Sequence, residues 1–153
     1  MRSLTYLTVI AVSVVTIGIG VAAAARTAPS QAEAARPSLT VRSSTFGRIV
    51  FDSRGFALYA FTRDPRGRTT CYGDCARAWP PYLVKGPLRA GPGTKRSLLG
   101  TTVRRDGSRQ LTYAGRPLYY YVGDRAPGVV LCQNVEEFGG LWLVVQPGGA
   151  LVR

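Results

Sequence analysis

Apolar residues follow a period of two in two stretches that lie sixty positions apart. In Phe56-Ala57-Leu58-Tyr59-Ala60-Phe61-Thr62 this period sets Tyr59 and Phe61 on one face and Leu58 and Ala60 on the other. In Pro117-Leu118-Tyr119-Tyr120-Tyr121-Val122 it opposes Tyr119 and Tyr121 to Leu118 and Tyr120. Both faces are substantially apolar, so each strand is expected to be covered on two sides, which requires a second layer. Ahead of the first stretch, Ile49-Val50-Phe51 runs through Asp52-Ser53-Arg54-Gly55, a strand, turn and strand in which Gly55 can take the positive φ of a tight turn. Ahead of the second, Gly100-Thr101-Thr102-Val103-Arg104 leads through Arg105-Asp106-Gly107 to Arg109–Tyr113. Ala114-Gly115 then turns the chain into Pro117, which predicts a three-stranded meander.

Each strand pair is followed by a helix-start signal. Asp74 reads as an N-cap, Cys75 to Trp79 as one helical turn, and Pro80-Pro81 as its stop. In the second copy Asn134 reads as the cap, Glu137 stands at the third position of a capping box, and Gly139-Gly140 closes the turn before a final strand, Leu141-Trp142-Leu143-Val144-Val145. Each turn is expected to lay one aromatic residue over an end of the core. Together these elements predict an all-β protein, a small sandwich or closed antiparallel sheet built from two duplicated hairpin or meander units with short helical turns. Residues 35–153 form the single domain, with repeat one at about 45–84 and repeat two at about 98–147.

The duplication is carried by named positions. Gly55, Leu58, Tyr59, Phe61 and Asp64 recur as Gly115, Leu118, Tyr119, Tyr121 and Asp124 at a constant separation of 60. The aromatic residues are expected in the core rather than in an exposed ladder for sugars or bases, because a domain of this size has few other large side chains. The two aspartates end their strands, where a carboxylate accepts hydrogen bonds from the backbone of the following Pro/Gly turn. Acid/base chemistry by the pair would require the two copies to bring the carboxylates together. No nucleophile-base set accompanies them, so a hydrolase is the weakest of the functions considered.

Composition narrows the chemistry further. The chain of 153 residues contains no histidine, which removes His-based acid/base catalysis, Ser-His-Asp triads and the usual zinc and blue-copper sites. Ser3 to Ala25 carries no charge and follows Arg2, the pattern of an export signal, with small-residue sites for cleavage between Ala24 and Ala34. An uncleaved membrane anchor is the alternative for residues 1–34. Beyond them stand 18 basic and 7 acidic side chains, a net charge of +11, and Lys85 and Lys95 are the only lysines. An exported cationic domain meets anionic lipid headgroups and acidic wall polymers before nucleic acid, so nucleic acid is disfavoured as a partner. A simply soluble, solvated surface is the plainer reading of the same charge.

Three cysteines in an exported domain imply one disulfide and one leftover thiol. Cys71 and Cys75 lie close, with Gly73 between them, and are the favoured pair. Cys132 is then free, although it stands near the duplicated counterpart of Cys71 and a bridge to it remains an alternative. A redox or metal-handling role for the three sulfurs is the competing function, weakened by the spacing of the first two and by Met1 being the lone methionine. No metal and no cofactor are expected.

Tyr59, Phe61 and Asp64, and again Tyr119, Tyr121 and Asp124, fit a Tyr-x-aromatic-x-x-Asp motif. With Cys71-x-x-x-Cys75-Ala76-x-x-Trp79-Pro80-Pro81 and Gly115-x-Pro117-Leu118-Tyr119, the chain resembles a bacterial secreted-repeat family of unknown function over about residues 45–147. The resemblance implies an exported or lipid-anchored protein with no enzymatic activity attached to the family as a whole. Because none of the three cysteines lies just after the apolar run, the chain is not expected to be a lipoprotein. The function expected is that of an exported, non-enzymatic envelope domain that binds a protein partner or an anionic wall or membrane surface.

Overall fold

The computed structural model describes residues 38–153. The signal or anchor read at residues 1–34 lies outside them. The chain opens on an antiparallel hairpin of β1 (Leu39–Ser44) and β2 (Gly47–Asp52). A short strand β3 (Tyr59–Phe61) follows, and then a helix of little more than one turn, α1 (Asp74–Ala78). The second half contributes the meander β4 (Leu99–Val103), β5 (Arg109–Tyr113) and β6 (Arg116–Pro117), and the hairpin β7 (Val135–Glu137) and β8 (Gly140–Val144). The sheets are β1-β2, β3-β8-β7 and β4-β5-β6, every pairing antiparallel. They stay open, so the protein is an all-β sandwich of hairpin and meander units and not a closed sheet. β1 has no counterpart among the predicted strands; its residues Leu39 and Val41 supply too few apolar positions for an alternating pattern to stand out.

The period-two reading explains the layering. Tyr59, Phe61 and Tyr119 enter one buried cluster with Ile49, Phe51, Trp79 and Trp142. Leu58, Ala60 and Leu118 enter a second with Leu39, Val50, Leu111, Tyr113 and Val145. One strand thus feeds two cores, which is why neither of its faces is polar. Leu58 and Leu118 are fully buried, each such side chain contributing about 1.5–3 kcal/mol of transfer free energy. The Trp79 and Trp142 rings stack at 4.0 Å, and Phe61 stacks on Trp142 at 4.3 Å.

Both predicted caps are corrected. Gly73 precedes α1 with φ of 56° and no side chain caps the helix; Asp74 is its first residue and pairs instead with Arg77. Asn134 has φ of 61° and starts no helix, because Val135 to Glu137 pair with β8 as a strand. Phe138 and Gly139, both at positive φ, form the two-residue turn of that hairpin. Pairing with β8 outweighs the local Asn-x-x-Glu signal. Phe138 therefore does not cover the core and is 38% exposed, while Trp79 and Trp142 are fully buried.

Candidate functional site

The two copies meet at Tyr59 and Tyr119, whose backbones exchange a pair of hydrogen bonds, N to O 2.9 Å in each direction. Their side chains then cross over. Tyr59 donates its hydroxyl proton to Asp124 Oδ2 at 2.7 Å, and Tyr119 donates to Asp64 Oδ2 at 2.5 Å. Burial and the adjacent carboxylates push both phenols well above their ordinary pKa, so they stay protonated donors. The other carboxylate oxygens close the loops that follow. Asp64 Oδ1 accepts from the Thr70 N–H and hydroxyl, both at 2.7 Å, and Asp124 Oδ1 accepts from Leu131 N–H at 3.0 Å. Burial holds both carboxyls above the usual carboxylate range despite these bonds. Each aspartate thus closes the loop behind its strand and also ties the two copies together.

The glycines repeat the exchange. Gly67 N–H donates to Gly115 O at 2.6 Å and Gly128 N–H to Gly55 O at 2.8 Å. Both acceptors sit at positive φ, 94° for Gly55 and 74° for Gly115, a backbone that a side chain would strain. Tyr and Asp match at an offset of 60, Gly67 and Gly128 at 61, and the pairing of Pro81 with Tyr119 and of Tyr59 with Val144 sets the tryptophans at 63. Trp142 is therefore the counterpart of Trp79, and short insertions in the second copy explain why a constant offset hides it.

Cys71 and Cys75 are joined in a disulfide with their Cα atoms 5.3 Å apart, and Cys132 is a buried free thiol. All three lie in the cluster of Tyr59 and Trp79. Burial raises the Cys132 thiol pKa, which disfavours the thiolate. Among the described residues no group of three or more Cys, Asp or Glu is arranged to hold a metal, and no helix is long and apolar enough to cross a membrane.

The duplicated scaffold carries loops of different chemistry. In the first copy the loop after Asp64 presents Arg66 and Arg68; at the matching positions of the second stand Pro127 and Val129. The first loop lies between two depressions. One, of about 370 Å³, is lined by Arg68, Thr69, Thr70, Tyr72, Arg104 and Arg105. There the Arg104 and Arg105 guanidinium groups lie 4.5 and 4.4 Å from the Tyr72 ring centre. Arg104 is 6% exposed, yet its acceptors are neutral: Gln110 Oε1 at 2.7 Å, Cys71 O at 2.9 Å and Thr69 Oγ1 at 3.3 Å. The other depression, about 570 Å³, is lined by Arg66, Arg116 and Arg153 with Leu98 and the Gly148-Gly149-Ala150 backbone. No Asp or Glu side chain lines either one. Among the described residues the ion pairs are Arg54 with Asp52 and Arg77 with Asp74, both local, and none of these four residues lines either depression.

Sequence reasoning singled out the motif residues and missed the loop. As charged groups, Arg66, Arg68, Arg104, Arg105 and Arg116 entered the sequence reading only as part of the net charge. The signal available was the difference between the copies, with Arg66 and Arg68 aligned against Pro127 and Val129.

A protein built this way is a duplicated all-β domain with a disulfide. The family model for Lipoprotein 15, described as a secreted repeat of unknown function, matches residues 40–82 and 100–146, and the chain belongs to that family. The two matched segments correspond to the two copies. No curated protein and no solved structure matches the chain. The family overturns one expectation. The chain was read as not being a lipoprotein because no cysteine follows the apolar run at residues 3–25, but the family is named for lipoproteins. The position of three cysteines relative to a segment outside the described residues was too narrow a basis for that exclusion.

Proposed function

We propose that the protein is a non-catalytic exported domain that binds an anionic envelope surface through the arginine-rich face around the loop Pro65–Thr70. The observation that carries this reading is the asymmetry of the duplication. Tyr, Asp and Gly positions are equivalent in both copies and are used to hold them together, whereas the arginine pair Arg66 and Arg68 exists in one copy alone, the second loop carrying the single Arg125. Binding groups on loops carried by a rigid scaffold are the common arrangement. The motif carboxylates favour the non-catalytic reading, because both oxygens of Asp64 and of Asp124 already accept hydrogen bonds. The buried disulfide and the raised Cys132 pKa favour a structural use of the cysteines over redox exchange.

Arginine suits this role because its planar fork engages phosphate or carboxylate oxygens in pairs. The test is co-sedimentation of the protein with anionic wall polymer and with vesicles rich in phosphatidylglycerol, across a salt series. Binding should weaken steeply with salt. The triple variant Arg66→Gln, Arg68→Gln, Arg105→Gln should lose most of it, while Lys85→Gln, Arg89→Gln, Arg125→Gln, of equal charge change, should retain most. Equal losses from the two triples would reduce the effect to net charge and defeat the assignment of a face.

A further inference from the structure

The turn at Gly115 beside the larger depression has its counterpart in the turn at Gly55. Around Gly55 the nearest groups are the Arg42 guanidinium, its Nη1 2.5 Å from where a Gly55 side chain would begin, and Pro127 of the opposite loop, its Cβ at 3.2 Å. Around Gly115 the same corner is formed by Arg116 and Arg66, with Arg66 Cβ at 3.4 Å from the equivalent point. Phe56 and Pro127 at one end of the pseudo-twofold are thus Arg116 and Arg66 at the other, although the Gly55 end is also reached by an arginine, Arg42. Arg153 adds a third guanidinium to the lining.

We propose that this corner, built by Arg66 and Arg116 against the Gly115 turn, binds a phosphate group. The inference rests on the anionic-surface reading above and names the chemical unit recognised. Arg66 is already positioned, since its Nη1 donates to Ala114 O at 2.6 Å and its remaining N–H groups stay free to turn to a ligand. Arg116 Nε is buried and has no acceptor among the described residues, so the side chain is held without a counter-group of its own. Burial first, then the proximity of Arg66 and Arg153, depresses the Arg116 pKa, as expected where like charges converge. A tetrahedral oxyanion offers enough acceptors for two or three guanidinium groups at once, and Gly148 and Gly149 contribute only backbone to the lining.

The same chemistry is presented by a lipid headgroup and by a soluble phosphate ester, so the experiment has three arms. Isothermal titration of the exported protein with inorganic phosphate at low ionic strength should show one saturable site. Arg116→Gln and Arg66→Gln should each weaken it about tenfold, Arg116→Phe, which installs the residue found at position 56, should abolish it with the fold retained in thermal melts, and Arg125→Gln should leave it unchanged. No saturable uptake by the parent, or equal weakening by Arg125→Gln and Arg116→Gln, would overturn the proposal. Vesicles of phosphatidylglycerol and soluble poly(glycerol phosphate) form the other arms, and the source is the one whose binding Arg116→Gln weakens. A parent that takes up inorganic phosphate but binds neither would sink the anionic-surface reading and leave the site standing. A parent that binds either one in a salt-dependent way without a phosphate site would do the reverse.

Discussion

Tyr59 of the first copy gives its hydroxyl proton to Asp124 of the second, 2.7 Å away and 65 residues along the chain. The reciprocal bond, Tyr119 to Asp64, makes the repeat motif a cross-brace between copies rather than a feature of either. Neither copy completes its own Tyr–Asp pair, so a single copy leaves a buried phenol without its partner.

The cross-brace predicts which residues couple. Tyr59→Phe and Tyr119→Phe should each cost about 1–3 kcal/mol, the loss of a hydrogen bond to a carboxylate, and the alanine variants about 3–5 kcal/mol as the buried rings are also lost. In double-mutant cycles Tyr59→Phe should couple to Asp124→Asn and not to Asp64→Asn, with the opposite pattern for Tyr119→Phe. Denaturant melts measure this, and coupling within copies instead of between them would contradict the geometry.

The pattern of residues made the strands and their two apolar faces legible, because Leu58 and Tyr59 alternate over a run long enough to show period two. It could not show the partner of either aspartate. Local chemistry assigned Asp64 to its turn, and its bond to Tyr119 depends on how the copies dock. The Asn134 and Glu137 signal misled for a related reason: a capping box is read from four residues, whereas β7 is decided by its pairing with β8. Glu137 in fact accepts a hydrogen bond from Trp79 Nε1 at 2.7 Å.

Acid stability follows from the same carboxylates. Burial raises the native pKa of Asp64 and Asp124 above the reference of 3.8, so the folded protein holds these protons more tightly than the unfolded chain. Their contribution is complete below the unfolded pKa and is lost as pH rises through the native values. Asp64→Asn and Asp124→Asn should each reduce the fall in stability between about pH 3 and the raised native pKa. Melting curves across that range decide it; variants with the parent's pH slope would show that neither group titrates abnormally.

The disulfide is expected to fix the turn into α1 more than to hold the domain together. Opening it by Cys71→Ala with Cys75→Ala should cost about 2 kcal/mol, the loop-closure entropy of so short a ring. Native Cys132 should react with a thiol reagent far more slowly than after denaturation, since it is 9% exposed and its thiolate is disfavoured. Rapid native labelling would restore the redox reading.

Arg104 gives the most discriminating structural prediction. Its guanidinium is buried and donates to Gln110, Cys71 and Thr69, and Gln110 passes the connection on through a bond from its amide to Leu118 O at 2.9 Å. Thr69 in turn lies 2.5 Å from the Tyr119 hydroxyl, so this arginine closes a polar chain that ends at Asp64. A lysine carries the same charge but cannot present a planar fork to three acceptors. Arg104→Lys should therefore cost about 1–3 kcal/mol, and Arg104→Leu more, because the leucine leaves all three acceptors without their donor. The consequence should reach the motif. If Arg104 holds Thr69 in place, Arg104→Lys should also diminish the stability coupling between Tyr119 and Asp64 while leaving that between Tyr59 and Asp124 intact. Equal changes in both couplings would mean that Arg104 supports the fold generally and not the first-copy loop.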